Sequence, residues 1–254
     1  MEVAMQSPSA DLFPVVDAAA LDAAAAAKRA RARRRNLGIS IIVLVVTLGL
    51  LASIAVPNWL QARRNHNESA ALATLKNISS AQSQCQASGA IDVNGNGAGE
   101  YGFFAELAGS VELPGGKGRM APPVLSKAFA EVVRGQVRRG GYIFAMVLPR
   151  SDCRGVREGS DGGRDGAESV DPGQAEALWA CYAWPIDRDR SGTRAFFVNQ
   201  AGDVLATNGR VRAYDGDRLP MPWDAAFALT AEGTMASPVA ANTVGKDGNT
   251  WVVM

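Results

Sequence analysis

The side chains able to do chemistry in this sequence sit in a few short stretches. Residues 91–102 read IDVNGNGAGEYG, with Asp92, Asn94 and Asn96 at alternate positions ahead of Gly97, and Glu100 beyond. Oxygen ligands spaced in this way around a glycine turn are how short calcium loops gather their donors. The EF-hand pattern is only half met, because its twelfth position falls on Phe103. An Asn/Gly turn also forms without metal, so calcium on Asp92, Asn94, Asn96 and Glu100 stands beside a plain turn as a reading. A second stretch, Asp187-Arg188-Asp189-Arg190-Ser191-Gly192, carries arginines that offset its carboxylates and reads as a hairpin turn.

Three cysteines, Cys85, Cys153 and Cys181, lie at spacings that offer no CxxC pair for zinc or redox chemistry. In an oxidising compartment they allow one disulfide and one spare thiol. A Cys153–Cys181 bridge would close about 27 residues and stabilise by about 3 kcal/mol in the chain-entropy model. Cys85 is then the spare, and its pairing with Cys181 is the alternative. The single histidine, His66, has no neighbours for a triad or a metal site, and Ser191 lies in no nucleophile elbow. No catalytic residues are assigned, and the expectation is a protein that is not an enzyme.

The elements that carry these residues follow from composition and periodicity. The 254 residues have a formal net charge of +1, but Lys28, Arg29, Arg31, Arg33, Arg34 and Arg35 crowd together just before an uncharged run, Leu37 to Val56. That run, LGISIIVLVVTLGLLASIAV, is long enough as a helix to cover about 30 Å, the hydrocarbon thickness of a bilayer. The basic cluster is a topology signal and predicts a cytoplasmic N-terminus and an extracytoplasmic C-terminal domain, with no nucleic-acid partner. Ser53-Ile54-Ala55 would suit a signal peptidase, but the run is longer than an ordinary signal core and starts far from Met1. Residues 1–36 read as an Ala/Arg-rich cytoplasmic arm, flexible over MQSPSADLFP and helix-compatible after it.

Past the span, Trp59 to Ala87 holds no Gly or Pro, and Leu60, Leu72, Leu75, Ile78, Ala81 and Cys85 recur largely at three- and four-residue steps. This predicts an amphipathic helix over 57–89, ended by Gly89, with Arg63, Arg64, Asn65, Glu68, Lys76 and Gln82 on its polar faces. Pro57 would bend the continuous helix, since it cannot donate to the carbonyl of Ser53. Small residues Gly49, Ala52, Ser53 and Ala55 would let another helix approach closely in lipid. Residues 90–254 then form an α+β domain. Strands are expected at 141–148, 177–184, 194–199, 203–207 and 250–254, with a tight hairpin at Gln200-Ala201-Gly202 and short helices at 103–108 and 124–133. The Gly-, Asp- and Arg-rich segment 150–173 reads as a mobile surface loop.

The stretch LLASIAVPNWLQARRN, followed by a helix ending Ser-Ser-Ala-Gln, resembles the N-terminal helix of type IV pilins and type II secretion pseudopilins, and the late YAWPIDRDRSGTRAFFVNQAGDVLATN resembles their hairpin. The resemblance implies a pilin-like fold, a long helix packed on a small antiparallel sheet. It implies a single-pass protein of the cytoplasmic (inner) membrane, or of a surface filament, whose partners are other pilin-like subunits or copies of itself. Two features of the family are missing. Counting back from Pro57, the glycine before the peptidase cut falls on Arg35, and the glutamate at the fifth mature position falls on Ser40. Shifting the cut to Gly38 puts Val43 in the glutamate's place. That glutamate would neutralise a new terminal amine inside an apolar filament core, and without a cut there is no amine to neutralise. The implied role is a non-catalytic anchored subunit or accessory protein of such an assembly. The alternative is an anchored extracytoplasmic module that binds a ligand or envelope partner through its loops.

Overall fold

The computed structural model describes residues 18–164, 170–230 and 232–254. The chain divides into two compact units, up to Asn58 and from Trp59 onward. Helix α1 (Ala18–Ser88) contributes to both and continues as helix past Pro57, which has no N–H to donate. The flexible stretch expected at 5–14 lies outside the described residues.

In the second unit α1 is a buried spine. Ala71, Leu75, Ile78, Ala81 and Cys85 are almost wholly buried, at the three- and four-residue steps that keep one helix face on one plane. Gly89 follows in the left-handed conformation (φ +60°) and ends the helix. Gly99 lets the returning chain lie against that end, since a Cβ there would sit 1.9 Å from the Gln86 carbonyl oxygen. Helix α2 (Phe104–Leu107) comes next, then a single 3-10 turn at Lys127–Phe129 where a longer helix over 124–133 was expected.

The sheet is antiparallel throughout. Its strands are β1 (Val137–Arg139), β2 (Tyr142–Pro149), β3 (Gly155–Arg157), β4 (Ala180–Pro185), β5 (Ala195–Asn199), β6 (Val204–Thr207), β7 (Thr243–Val244) and β8 (Thr250–Val253). The order is β1-β2-β4-β5-β6-β8-β7, with β3 paired to the end of β2, and α3 (Pro172–Ala175) precedes β4. The β5–β6 hairpin turns at Gly202 (φ +82°), whose amide donates to Asn199, in the register Val198 opposite Val204.

Period-two alternation divides the sheet into two faces. Tyr142, Phe144, Met146, Leu148, Cys181, Ala183, Phe196, Val198, Val204 and Ala206 belong to the core that holds the α1 stripe and α2. Ile143, Ala145, Val147, Tyr182, Trp184, Phe197, Leu205 and Trp251 form a second core on the other face. That face is covered by the segment from Asn208 to Asn249, nearly all irregular, through Tyr214, Met221, Ala226, Phe227 and Met235. Its backbone is tied down by Asp247 and Asn249. The Asp247 carboxylate accepts from Tyr214 Oη (2.6 Å), Asn249 Nδ2 (2.7 Å) and Trp251 Nε1 (3.2 Å). Asn249 Oδ1 accepts the amides of Val211 and Arg212.

Three sequence expectations change. Glu68 and Gln82, assigned to polar helix faces, are buried. Gln82 donates to the Gly102 carbonyl (2.8 Å) and accepts its amide (3.1 Å), so the helix is joined to the chain ahead of α2 by a reciprocal pair. The third change is in 150–173, expected to be a mobile loop. Its described residues are built into the fold through β3, α3, buried Val156 and buried Glu158.

Because Trp251 fills the second core and anchors Asp247, Trp251→Ala should cost about 3–5 kcal/mol. Its half-exposed neighbour Val252→Ala should stay within about 0.5 kcal/mol. Calorimetric unfolding of the full chain in detergent reads both.

Candidate functional site

In the first unit, the apolar run of α1 is exposed on every side of the helix, as Leu37, Ile41, Leu44, Val45, Leu48, Leu51 and Ile54 illustrate. Its best 18-residue window has a mean hydropathy of 2.8. A helix apolar all round belongs in lipid or inside a protein core, and no part of that window is buried. Two of its three hydroxyls are satisfied within the helix, Thr47 donating to the Val43 carbonyl (2.8 Å) and Ser53 to the Leu50 carbonyl (2.7 Å). Such back-bonding lets polar side chains sit in hydrocarbon without an outside partner. At about 100° per residue, Gly49, Ala52 and Ser53 share one face of the helix and Ala55 borders it. No heavy atom would meet a Cβ at Gly49. Pro57 lies inside α1 just beyond this run.

In the second unit, the proposed calcium residues are engaged in protein contacts. Asp92 Oδ1 accepts the Asn96 amide and Oδ2 the Gly97 amide, both at 3.2 Å. Asn94 Oδ1 accepts the Asn96 amide and Asn96 Oδ1 the Ala98 amide, which makes a run of Asx turns. The Asn94 and Asn96 side-chain amides both donate to Glu176 Oε1 at 2.8 Å, fastening the loop beside α3. Glu100 points inward and is fully buried, with Oε1 accepting from Val93 N (2.6 Å) and Oε2 facing Arg164 (3.2 Å). The structure thus keeps Asp92, Asn94 and Asn96 together and turns Glu100 toward an arginine. Among the described residues no group of three or more His, Cys, Asp or Glu is arranged to hold a metal.

Sequence reasoning missed the buried cluster around Glu100. Glu106, Glu158 and Arg164 join it, Arg164 Nε lying 3.1 Å from Glu106 Oε1. Glu106 also accepts the Phe103 amide, and Glu158 accepts the amides of Phe104, Ala105 and Gly163. The two carboxylates therefore satisfy the orphan N–H groups at the start of α2. Burial pushes Glu158 up from 4.5 to about 7, against the pull of its amide donors, and burial likewise raises Glu106 against the opposing charge of Arg164. The spacing Glu100…Glu106…Glu158 in the sequence gives no sign of this cluster, because the joining residue, Arg164, lies in the Gly/Asp-rich segment.

The expected Cys153–Cys181 bridge is not formed. All three thiols are free in this structure. Cys181 points into the core under α1, opposite Met146, whereas Cys153 sits in the turn after β2 with its backbone bonded to Arg150 and Met235. Burial pushes the Cys85 thiol up to about 12 and raises that of Cys181, so neither is a ready nucleophile. His66 is exposed on α1. Ser191 lies in the β4–β5 turn, as its sequence predicted, and the turn is docked on α1. Asn67 Nδ2 donates to the Ser191 carbonyl (2.8 Å), and Glu68 accepts the Thr193 and Arg194 amides and the Arg194 side chain (2.7 Å). Burial opposes the charge on Glu68, but these donors outweigh it and hold its carboxyl below the usual range.

With this geometry in hand, comparison with family models, with curated proteins and with solved structures gives no match. The reading of function therefore rests on the fold, a long N-terminal helix packed on an antiparallel sheet in a pilin-like architecture, and on the apolar helix that leads into it.

The carboxylates set a pH dependence. Between 4.5 and about 7 the folded chain holds a proton on Glu158 that the unfolded chain has released. The Glu158 contribution to stability should rise as pH falls through 7 and level off below 4.5, a span on the order of 3 kcal/mol, whereas that of Glu68, held below the usual range, is lost as pH falls below 4.5. Glu158→Gln should melt higher than the parent chain at pH 8, nearly equal it at pH 5, and flatten the slope between, as read by thermal unfolding across that range.

Proposed function

We propose that this protein is a single-pass, membrane-anchored, pilin-like subunit or accessory protein of a type IV filament or type II secretion assembly, and that its work is structural. The observation that carries the reading is α1 itself. One unbroken helix is apolar on all sides over 37–56 and, from Trp59, becomes the spine of an α+β domain. The basic cluster at 28–35 supports an orientation with the N-terminus inside and the domain outside. Gly49, Ala52, Ser53 and Ala55 supply a small-residue face on which a second helix, of a copy or of a related subunit, can pack. The carboxylates that might have suggested catalysis are consumed in holding backbone amides and arginines, which supports a scaffold over an enzyme.

In this reading the helix stays an uncleaved anchor. Arg35 and Ser40 stand where the family's processing glycine and neutralising glutamate would fall, and a chain that keeps its arm has no buried amine to neutralise. Intact-mass measurement on protein purified from native membranes should therefore find residues 1–35 still attached. A new terminus at Asn36 or Ile39 would overturn the uncleaved anchor. The protein should resist alkaline extraction from membranes, and it should also co-purify with sheared filaments or with a secretion complex. Recovery from the membrane fraction alone would count against an assembly role and favour the anchored binding module.

A further inference from the structure

Two hollows flank α1 at the start of the second unit. On one side a space of about 600 Å³ is lined by Trp59, Leu60, Arg63, Asn67 and Arg190. On the other a space of about 360 Å³ is lined by Gln61, Arg64, Glu68, Thr193 and Arg194, and through Arg194 and Asn208 it shares its wall with one of about 550 Å³ lined by Arg210, Val252 and Met254. Together the last two make a trough with arginines along its length and an apolar floor.

The charges in this trough are unbalanced, although the rest of the chain is close to neutral. Glu68 is its one acidic side chain, and both of its oxygens are already taken by the Thr193 and Arg194 amides and by Arg194 Nε. Arg194 Nη1 donates weakly to Met254 Sδ (3.7 Å), which leaves Nη2 to spare. Arg64 and Arg210 make no ion pair among the described residues, and Arg64 Nε is buried with no hydrogen-bond partner. A buried guanidinium nitrogen without an acceptor is costly, so the site fits an anion with several oxygens. A phosphodiester has two free oxygens for a guanidinium fork and apolar arms for the floor formed by Ala206, Val252 and Met254.

Position selects the source of that phosphate. On a helix, Trp59 and Arg64 come about 5 and 12 Å after Val56, the last residue of the apolar run, and a headgroup layer is about 5–8 Å thick. Trp59 is exposed with Arg63 stacked over its ring at 5.7 Å, the pairing of a membrane-interface anchor. Long arginine side chains reach back from this level into the headgroups. We propose that the trough of Arg64, Arg194 and Arg210 binds the headgroup phosphate of an anionic phospholipid at the outer surface of the membrane that α1 crosses. The proposal rests on the anchored reading above.

The test uses the full chain in nanodiscs of phosphatidylcholine doped with headgroup-photoactivatable phosphatidylglycerol, with crosslinks mapped by peptide mass spectrometry. Crosslinks are expected in 59–72 and 194–212, with weaker labelling there by the equivalent phosphatidylcholine probe. Arg64→Gln with Arg210→Gln should reduce them on the order of tenfold at unchanged melting temperature, while Arg119→Gln, an exposed arginine elsewhere, leaves them as they were. Labelling confined to residues 28–56 would overturn the trough and leave the anchor standing. No incorporation into nanodiscs would overturn both. Loss of the crosslinks to added inorganic phosphate at constant ionic strength would assign the site to a soluble anion and overturn the lipid proposal.

Discussion

Every residue of β2 and of β4 is buried, and the rest of the domain follows from that constraint. A sheet whose central strands are apolar on both faces cannot leave either face in water, so it needs two covers. The C-terminal part of α1 with α2 supplies one, and the irregular segment before β8 supplies the other. Each cover brings backbone polar groups into a dry space, and each carries buried side chains that bond them. Gln82, Glu106 and Glu158 do this on the helix side, Asp247 and Asn249 on the other. The buried acids are thus a consequence of covering a two-sided sheet with elements too short to satisfy their own ends.

The same helix has to suit two surroundings. Over 37–56 it is apolar on every side, with Thr47 and Ser53 bonded to its own carbonyls; from Trp59 onward only one stripe is apolar. The change falls at Pro57, the residue that leaves a carbonyl without its amide donor. A free carbonyl is least costly where water or headgroups can reach it, at the edge of the hydrocarbon rather than within it. Placing the proline there is consistent with the segment's length, and Trp59 with Arg63 and Arg64 just beyond are residue types suited to that boundary.

What could be read from the sequence was whatever had a period or a turn signal. The apolar helix over 37–56, the stripe from Leu75 to Cys85, the stop at Gly89, the hairpin at Gly202 and the five expected strands all come from such local rules, and the structure has them within a few residues. Gln82 was misplaced because one polar residue in an apolar stripe looks like a face boundary, whereas it is a buried donor and acceptor matched to Gly102. The segment at 150–164 was misjudged because its composition is that of a solvated loop; its structure comes from Glu158 and Arg164 reaching partners more than fifty residues away. Residues 208–249 have no period at all, since their order depends on contacts with the sheet rather than on their own helix or strand. The calcium loop was read from oxygen spacing, and oxygens at that spacing also make successive Asx turns.

Arg164 shows how far such long-range ties determine the fold. One guanidinium faces Glu100, just after the Asn/Gly loop, and Glu106, at the start of α2, while Glu158 six residues earlier holds the α2 amides. An apolar replacement for this group could be as stable, because desolvating charges offsets much of their attraction. It would not have the same directionality, since greasy contacts tolerate a shift of the segment by a residue and a guanidinium fork between two fixed carboxylates does not. In a segment with little apolar side-chain volume to lock it, direction is what is lacking. The ion cluster therefore does for residues 155–164 what the apolar stripe does for α1, fixing a register that composition alone leaves open.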